Sequence, residues 1–434
     1  MASRPHILFL CHCLPYPPEA GATSRTFNIL KELQKEFDIS LVAFSRSNHQ
    51  RGIQERENSC RALEQLVSQV YAAVPVASEH SMLRRIWDHV RSLATSRPYT
   101  FYEYWRREFQ TQLRTAISRR KPDLIHIDSL DLHRWVRDLP QVPITCTHHD
   151  IDSELLRRRA AKEKSFVVRS YIDYQARLIE QVEREFCPKF NGNLVMSTVD
   201  AMKLETVAPG THTIIVPNGV DTHYFSPTTD PSPVPGRVIF VGPTVTFANR
   251  DAVEYLLRNI WPRIHARDRS AGMHLIGRCS DSDQIRYSSN PGVSSLGQVS
   301  DIRPHLAQAC CCVVPIRIGG GTRMKILDAW AMGKPVVSTS IGCEGLDAVE
   351  EENILIRDTP EGFAEAVLAL LSDPELRAEL GRGGRKMVEE KYSWTVIGHG
   401  LRAYYWSCLR SAAGPDLGQL ASRSAGLQCD AGST

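Results

Sequence analysis

The residues best suited to chemistry lie at 315–335, PIRIGGGTRMKILDAWAMGKP. An apolar run ending at Pro315 reads as a strand, and Gly319, Gly320, Gly321 and Thr322 lead from it into a helix. Glycines let the backbone approach an anion closely, and a helix start offers free N–H groups and positive potential. Arg323 and Lys325 put two cations in the first turn, where the helix dipole disfavours them unless an anion is bound. That local conflict points to a phosphate. Asp328 follows Lys325 by about one turn, where a carboxylate can accept two hydrogen bonds from a ribose diol. No Gly-Lys-Ser/Thr occurs here, so this is not a Walker loop.

Three other segments place polar residues after an apolar run. In ITCTHHDIDS (144–153) a strand ends directly into His148, His149 and Asp150, candidates to bond a sugar hydroxyl or to stabilise developing positive charge. In CLPYPPEAGATSR (13–25), Gly21 and Ala22 would let a ligand come close to the first helix start. In VIFVGPTVTFANRD (238–251) a strand reaches Gly242 and a loop leads to Asn249. Asn249 reads either as a helix N-cap or as part of a loop lying under a diphosphate. IIVPNGVDTHYF (214–225) is, by its residues alone, only a turn entering a linker.

These residues need a scaffold that brings strand ends together. Short apolar runs at 7–11, 39–44, 124–127, 144–147, 194–197 and 213–216 alternate with amphipathic stretches such as 22–36 and 101–120. A second series follows at 238–242, 273–276, 311–315, 335–339 and 354–356, with helical patterns at 250–265, 323–332, 363–371 and 375–391. Continuous Val/Ile/Leu runs separated by helices mean parallel strands buried on both faces. Two such series predict two doubly wound α/β domains facing a central cleft, with ligands beyond the carboxyl ends of the strands. FSPTTDPSPVPG (225–236), with four prolines and no periodicity, divides them as a linker between domains at 1–224 and 237–392. The segment 411–434 is predicted to be a disordered tail.

Composition agrees with a soluble globular enzyme. The chain has 434 residues, 42% hydrophobic and 23% charged, enough for two to three domains of roughly 150 residues. Lys+Arg 52 against Asp+Glu 49 is too balanced for bulk nucleic-acid binding. No run of about 18 apolar residues marks a membrane span, and the opening HILFLCHCL lacks the flanks of a secretion signal. The 12 cysteines sit in apolar runs without zinc spacing and read as buried thiols in a reducing compartment.

Taken together, these segments resemble glycosyltransferase family 4, of GT-B fold, from about His6 to Tyr405. VPNGVDTHYFSP resembles the family's interdomain signature. FVGPTVTFANRDAVEYL and GGGTRMKILDAWAMGKPVVSTSIGCEGL resemble a branch associated with bacterial surface-polysaccharide assembly, and HHDIDSELLRRRA resembles its histidine loop. The helix at 393–410 resembles the one that crosses back to the N-terminal domain. The resemblance implies retaining transfer of a sugar from a nucleoside-diphosphate sugar to a glycan or lipid-linked acceptor, without a metal or other cofactor. Phosphate neutralisation then falls to backbone N–H groups, Arg323 and Lys325, and the leaving diphosphate deprotonates the acceptor. The family's glutamate pair, eight positions apart, corresponds here to Gly320 and Asp328, and its Arg/Lys pair after the first C-domain strand is replaced by PTVTF.

Those departures keep two other readings open: a non-catalytic sugar-nucleotide-binding scaffold of a glycan assembly complex, and a related GT-B enzyme such as a sugar-phosphate epimerase. The expected location is cytoplasmic. Basic and aromatic residues in 82–121 (LRRIWDHVRS, YWRREFQ) read either as a solvated helix face or as a surface docking peripherally on the inner face of an anionic membrane.

Overall fold

The apolar runs become parallel strands because each must bury both faces under helices. The computed structural model describes residues 4–18, 21–47, 49–71, 73–79, 81–228, 232–318 and 323–413. They fall into two units, one running to Val216 and resuming at Gly398, the other spanning Pro217–Ile397.

Unit 1 contains β1 (His6–Cys11), β2 (Asp38–Ser45), β3 (Gln69–Val70), β4 (Val74–Pro75), β5 (Leu124–Ile127), β6 (Ile144–Thr147), β7 (Gly192–Val195) and β8 (Thr213–Ile215). The order is β3-β2-β1-β5-β6-β7-β8, with β4 also on β2, and every pairing is parallel. Phe9 is in register with Leu41 on one side and His126 on the other. Unit 2 contains β9 (Arg237–Val241), β10 (Gly272–Ile276), β11 (Val293–Gly297), β12 (Cys311–Val314), β13 (Val336–Ser338) and β14 (Leu355–Ile356), ordered β11-β10-β9-β12-β13-β14 and again all parallel. In each sheet the order reverses beside the first strand, between β1 and β5 and between β9 and β12. Such reversals open a crevice at the carboxyl edge, where doubly wound folds bind ligands.

The unit 2 core is one apolar cluster that includes Phe240, Trp261, Trp330 and the Cys311–Val314 strand. The Pro374–Met387 helix lies almost on the backbone beneath it. A Cβ on Gly381 would stand 2.2 Å from Gly333 O, and one on Gly384 would stand 2.3 Å from Trp330 Cδ1. All described cysteines are free, and most are buried. No helix among the described residues is long and apolar enough to cross a membrane.

Several expectations are corrected. The division falls at Val216/Pro217, ahead of residue 224. The described part of 225–236 belongs to unit 2, where Val234 N donates to Gln308 O at 2.8 Å. The last helix runs Trp394–Ala413. The expected tail therefore begins inside a helix, and 414–434 lie outside the described residues. From Gly398 that helix joins unit 1. Tyr405 Oη reaches His126 Nδ1 at 2.7 Å, and Arg402 pairs with Glu32 at 2.6 Å. The single helix expected at 101–120 is two, Thr100–Glu103 and Arg107–Arg119. Tyr104 between them is fully buried, and its carbonyl accepts from Trp135 Nε1 at 3.2 Å instead of continuing a helix. The pattern at 250–265 opens into a wide π turn at Leu256–Ile260, next to Pro262, which has no N–H to give.

Candidate functional site

In unit 2 the carboxyl edge is built on two glycines. Gly242 follows β9 and donates its N–H to Ile276 O at 2.7 Å. Gly277 follows β10 at φ +141, and a Cβ there would lie 2.3 Å from Gly242 O, so any side chain would force the strand ends apart. A Cβ on Gly242 would stand 2.6 Å from Lys325 Nζ and 3.0 Å from Asn249 Cγ. Lys325 Nζ donates to Asn249 Oδ1 at 2.8 Å and sits 4.2 Å from the Phe240 ring centroid. Asn249 is not the N-cap. Thr246 holds that position, and Asn249 lies one turn inside the Phe247–Tyr255 helix, its Nδ2 donating to Pro243 O at 3.0 Å. Its amide ties the loop after β9 to the lysine at the switch point.

The helix after β12 is Met324–Ala331, so Arg323 is its N-cap residue rather than part of its first turn. Lys325 is in that turn. Burial pushes its amine down to about 7, opposed by nearby Cys312 and reinforced by Arg323, with Asp328 also raising it. Burial pushes the Asp328 carboxyl up to about 7, with Lys325 holding it back. An amine half-hidden beside a glycine edge is poised to take up its full charge when an anion arrives beside it. Gly319, Gly320, Gly321 and Thr322 lie outside the described residues. Arg317, which the sequence reading passed over, makes a two-pronged ion pair with Asp251 at 2.7 and 3.1 Å and stacks 4.1 Å over Tyr255. It braces the strand end to the helix behind Asn249.

In unit 1 the switch point holds a different chemistry. His12 follows β1, Asp128 follows β5 and His149 lies two residues beyond β6. His12 Nδ1 lies 3.6 Å from Asp128 Oδ2, His149 Nε2 lies 3.7 Å from Oδ1, and the two imidazoles stand 5.3 Å apart. Asp128 is buried, and Thr26 Oγ1 donates toward both its oxygens at 3.0 and 2.9 Å. Burial works to raise its carboxyl. The His12 and His149 imidazoles beside it outweigh that and hold the group below the ordinary carboxylate range. His149 Nε2 also lies 2.9 Å from Asp128 O. A carbonyl only accepts, so Nε2 carries the proton, and Nδ1 is the ring's acceptor in the neutral form. One atom from each of these three residues lies within 4.8 Å of the others, a grouping that could hold a cation, although the carboxylate already accepts from Thr26 and His149 Nε2 already faces Asp128 O.

His148 does not join the group. Its ring turns into the core, Nε2 bonds Asn193 Oδ1 at 2.9 Å, and burial pushes it down to about 4. Asp150 is partly exposed. Next to it, burial and the charges of Asp131, Glu183 and Asp150 push the Asp152 carboxyl well up. Gly21 opens the Gly21–Leu33 helix with nothing within 4 Å of a would-be Cβ, and Ala22 is half-buried beside it. Thus Gly242, Asn249 and Lys325 meet in unit 2, and His149 meets two residues the sequence reading missed. Each of those two is a polar residue directly after a strand, but each sits in a run, CHC or LIHID, whose apolar character masks it.

Two family models match the chain: one described as Glycosyltransferase Family 4 over residues 20–224, and one described as Glycosyl transferases group 1 over 235–373. The capsular polysaccharide biosynthesis glycosyltransferase CapM of Staphylococcus aureus is 29% identical over 137 residues, 31% of this chain and 36% of that protein. A GDP-mannose-dependent monoacylated alpha-(1-6)-phosphatidylinositol monomannoside mannosyltransferase of Corynebacterium glutamicum is 26% identical over 206 residues, 43% of this chain and 54% of that protein. The chain thus matches about a third to a half of the length of these relatives. Among solved structures, Anabaena HepE in complex with UDP superposes with a TM-score of 0.63 at 14% identity, over 93% of this chain and 100% of that one.

Proposed function

This chain belongs to the family 4 type of glycosyltransferase, with the GT-B fold, and we propose that it moves a sugar from a nucleoside-diphosphate sugar to a glycan or lipid-linked acceptor in polysaccharide or glycolipid synthesis. The observation that carries this reading is the Lys325 amine, fixed by Asn249 against Gly242 at the strand reversal of unit 2. A diphosphate there would meet an ammonium with no room for competing side chains. UDP occupies the structural neighbour HepE, and a GDP-sugar serves the Corynebacterium relative.

In this reading Arg323 and Lys325 counter the charge that grows on the leaving diphosphate, which is the main electrostatic demand of the reaction. Asp328 accepts from the ribose hydroxyls. The bond from the anomeric carbon to the diphosphate oxygen breaks, the acceptor oxygen bonds to that carbon on the same face, and the acceptor proton passes to the diphosphate. Anomeric configuration is retained. His149 accepts a hydrogen bond from a sugar hydroxyl through Nδ1, and Asp128 positions it. The two cations take the place of a metal.

The test is turnover. The protein is incubated with UDP- and GDP-sugars and a membrane-lipid extract containing polyprenyl-phosphate-linked glycans, with and without EDTA. The proposal expects free nucleoside diphosphate together with a new α-glycoside from an α-linked donor, and no loss with EDTA. Inverted product, or activity only with added metal, would refute the corresponding part.

A further inference from the structure

The Met82–Thr95 helix is inside out. Its protein-facing side is polar: Asp88 and Ser92 are buried, Arg84 pairs with Asp88 at 3.0 Å, and His89 Nδ1 meets Tyr171 Oη at 2.6 Å. Its outward side carries Met82, Leu83, Ile86, Trp87, Val90 and Leu93, with Leu83 81% exposed. The spacing of three and four is that of an apolar stripe, which a surface helix ordinarily turns toward its core.

A second helix start adjoins it. Phe166–Phe186 opens with Phe166, Val167 and Val168 in solvent, Phe166 82% exposed. The bonds from His89 to Tyr171 and from Gln175 Nε2 to Ser92 (2.8 Å) fix the two helices side by side, running the same way. One turn back from those pairs, Ile86 stands level with Val168. The two apolar stretches are therefore neighbours, although 80 residues separate them in sequence. Exposed cations flank them at Arg85, Lys162, Lys164 and Arg169. The one acidic residue on the first helix, Asp88, is buried and paired.

The structure also narrows the expected 82–121 surface. Phe109 and Leu113 of the Arg107–Arg119 helix are buried in the core, so that helix offers no apolar face outward.

We propose that these two helix starts form a membrane-docking surface of unit 1, inserting Met82–Trp87 and Phe166–Val168 at the headgroup boundary of a bilayer rich in anionic lipid. Apolar side chains ringed by cations match that boundary on both counts: the stripe is buried among acyl chains, and the cations meet lipid phosphates. The surface belongs to unit 1 and shares no residue with the diphosphate-binding group of unit 2, so it can fail or hold independently of the proposed reaction.

The test is co-sedimentation of the full chain with phosphatidylcholine vesicles and with vesicles that also contain phosphatidylglycerol. The variant is Leu83→Glu/Trp87→Glu/Phe166→Glu. All three positions are solvent-exposed, and an unchanged melting curve confirms that the fold is intact. Expected is binding to the anionic vesicles, quenching of Trp87 by brominated lipid that Trp87→Phe reduces, and at least tenfold weaker binding of the triple variant. Equal binding by the variant would overturn the proposal, because it would leave only diffuse charge attraction. So would no vesicle binding, or a concentration-dependent dimer that the triple variant abolishes, since a second copy would then cover the face.

Discussion

Lys325 Nζ and Asn249 Oδ1 meet at 2.8 Å across 76 positions of sequence. One comes from the helix after β12 and the other from the helix after β9, so their bond spans the reversal of strand order in unit 2. A lysine pulled into a glycine-edged crevice loses hydration, and the asparagine returns only part of it. An arriving phosphate would return the rest. The following predictions start from that imbalance.

Gly242→Ala tests the crowding directly. The new methyl would fall 2.6 Å from Lys325 Nζ, the far end of a flexible chain, so the amine should move, while the φ of +157 at this position strains any side chain and should lower the melting temperature as well. Losing one charge-assisted bond is worth about 1.5–3 kcal/mol, roughly a 10- to 100-fold loss in nucleoside-diphosphate affinity. Calorimetric titration measures it, and unchanged affinity would remove the amine from the phosphate site.

Nucleoside-diphosphate binding should take up protons near and above pH 7. Lys325 is held down to about 7 in the free protein, and a bound diphosphate favours its charged form. The binding enthalpy should therefore vary with the ionisation enthalpy of the buffer at pH 8, and affinity should fall as pH rises from 7 to 9. A buffer-independent enthalpy would contradict this.

Asp328 gives a linkage prediction of defined sign. Its carboxyl is raised from 3.8 to about 7, so between those values the folded protein binds more protons than the unfolded chain. Its contribution to stability is complete below pH 3.8 and is lost as pH rises through 7. Asp328→Asn should flatten that part of the stability-pH curve, as read by denaturant midpoints from pH 4 to 8. An unaltered curve would show the carboxyl to be ordinary.

Asp128→Asn, which removes the carboxylate charge beside His12 and His149, should slow turnover roughly 10-fold, the effect of about 1.4 kcal/mol of lost positioning. Nucleoside-diphosphate affinity in unit 2 should change little. His148→Gln, which alters the Asn193 pair in the core, should lower stability more than it lowers kcat. The reverse pattern in steady-state kinetics and thermal melts would exchange the roles of the two histidines.

Tyr405→Phe should cost about 1–2 kcal/mol, because His126 and Thr145 lose a buried hydroxyl partner. A melting temperature unchanged within error would mean that the last helix is held by its other contacts, Arg402 with Glu32 and Trp406 with Glu36.

The sequence exposed whatever has a continuous apolar signal. β5 and β6 match the expected bounds, and most other expected strands agree within a residue or two. β11, VSSLG, was missed because alternate residues are exposed and its serines break the run, while β3 and β4 are only two residues long. The adjacent histidines show a second limit. Successive residues at a strand end point to opposite sides; one ring enters the core and the other the crevice, and residue type cannot distinguish them. His12 and Asp128 were hidden because CHC and LIHID read as apolar strand. Pairing Lys325 with Asn249 needed the sheet order, which no local pattern carries.

The most direct test of the diphosphate site is calorimetric titration of UDP and GDP into the native protein and into Lys325→Ala. At least one of the two should bind the native chain, and the variant should lose roughly 100-fold or more of that affinity with its melting curve preserved. A variant that binds as tightly as the native protein would show that the phosphates sit elsewhere, and the account of the unit 2 crevice would fall.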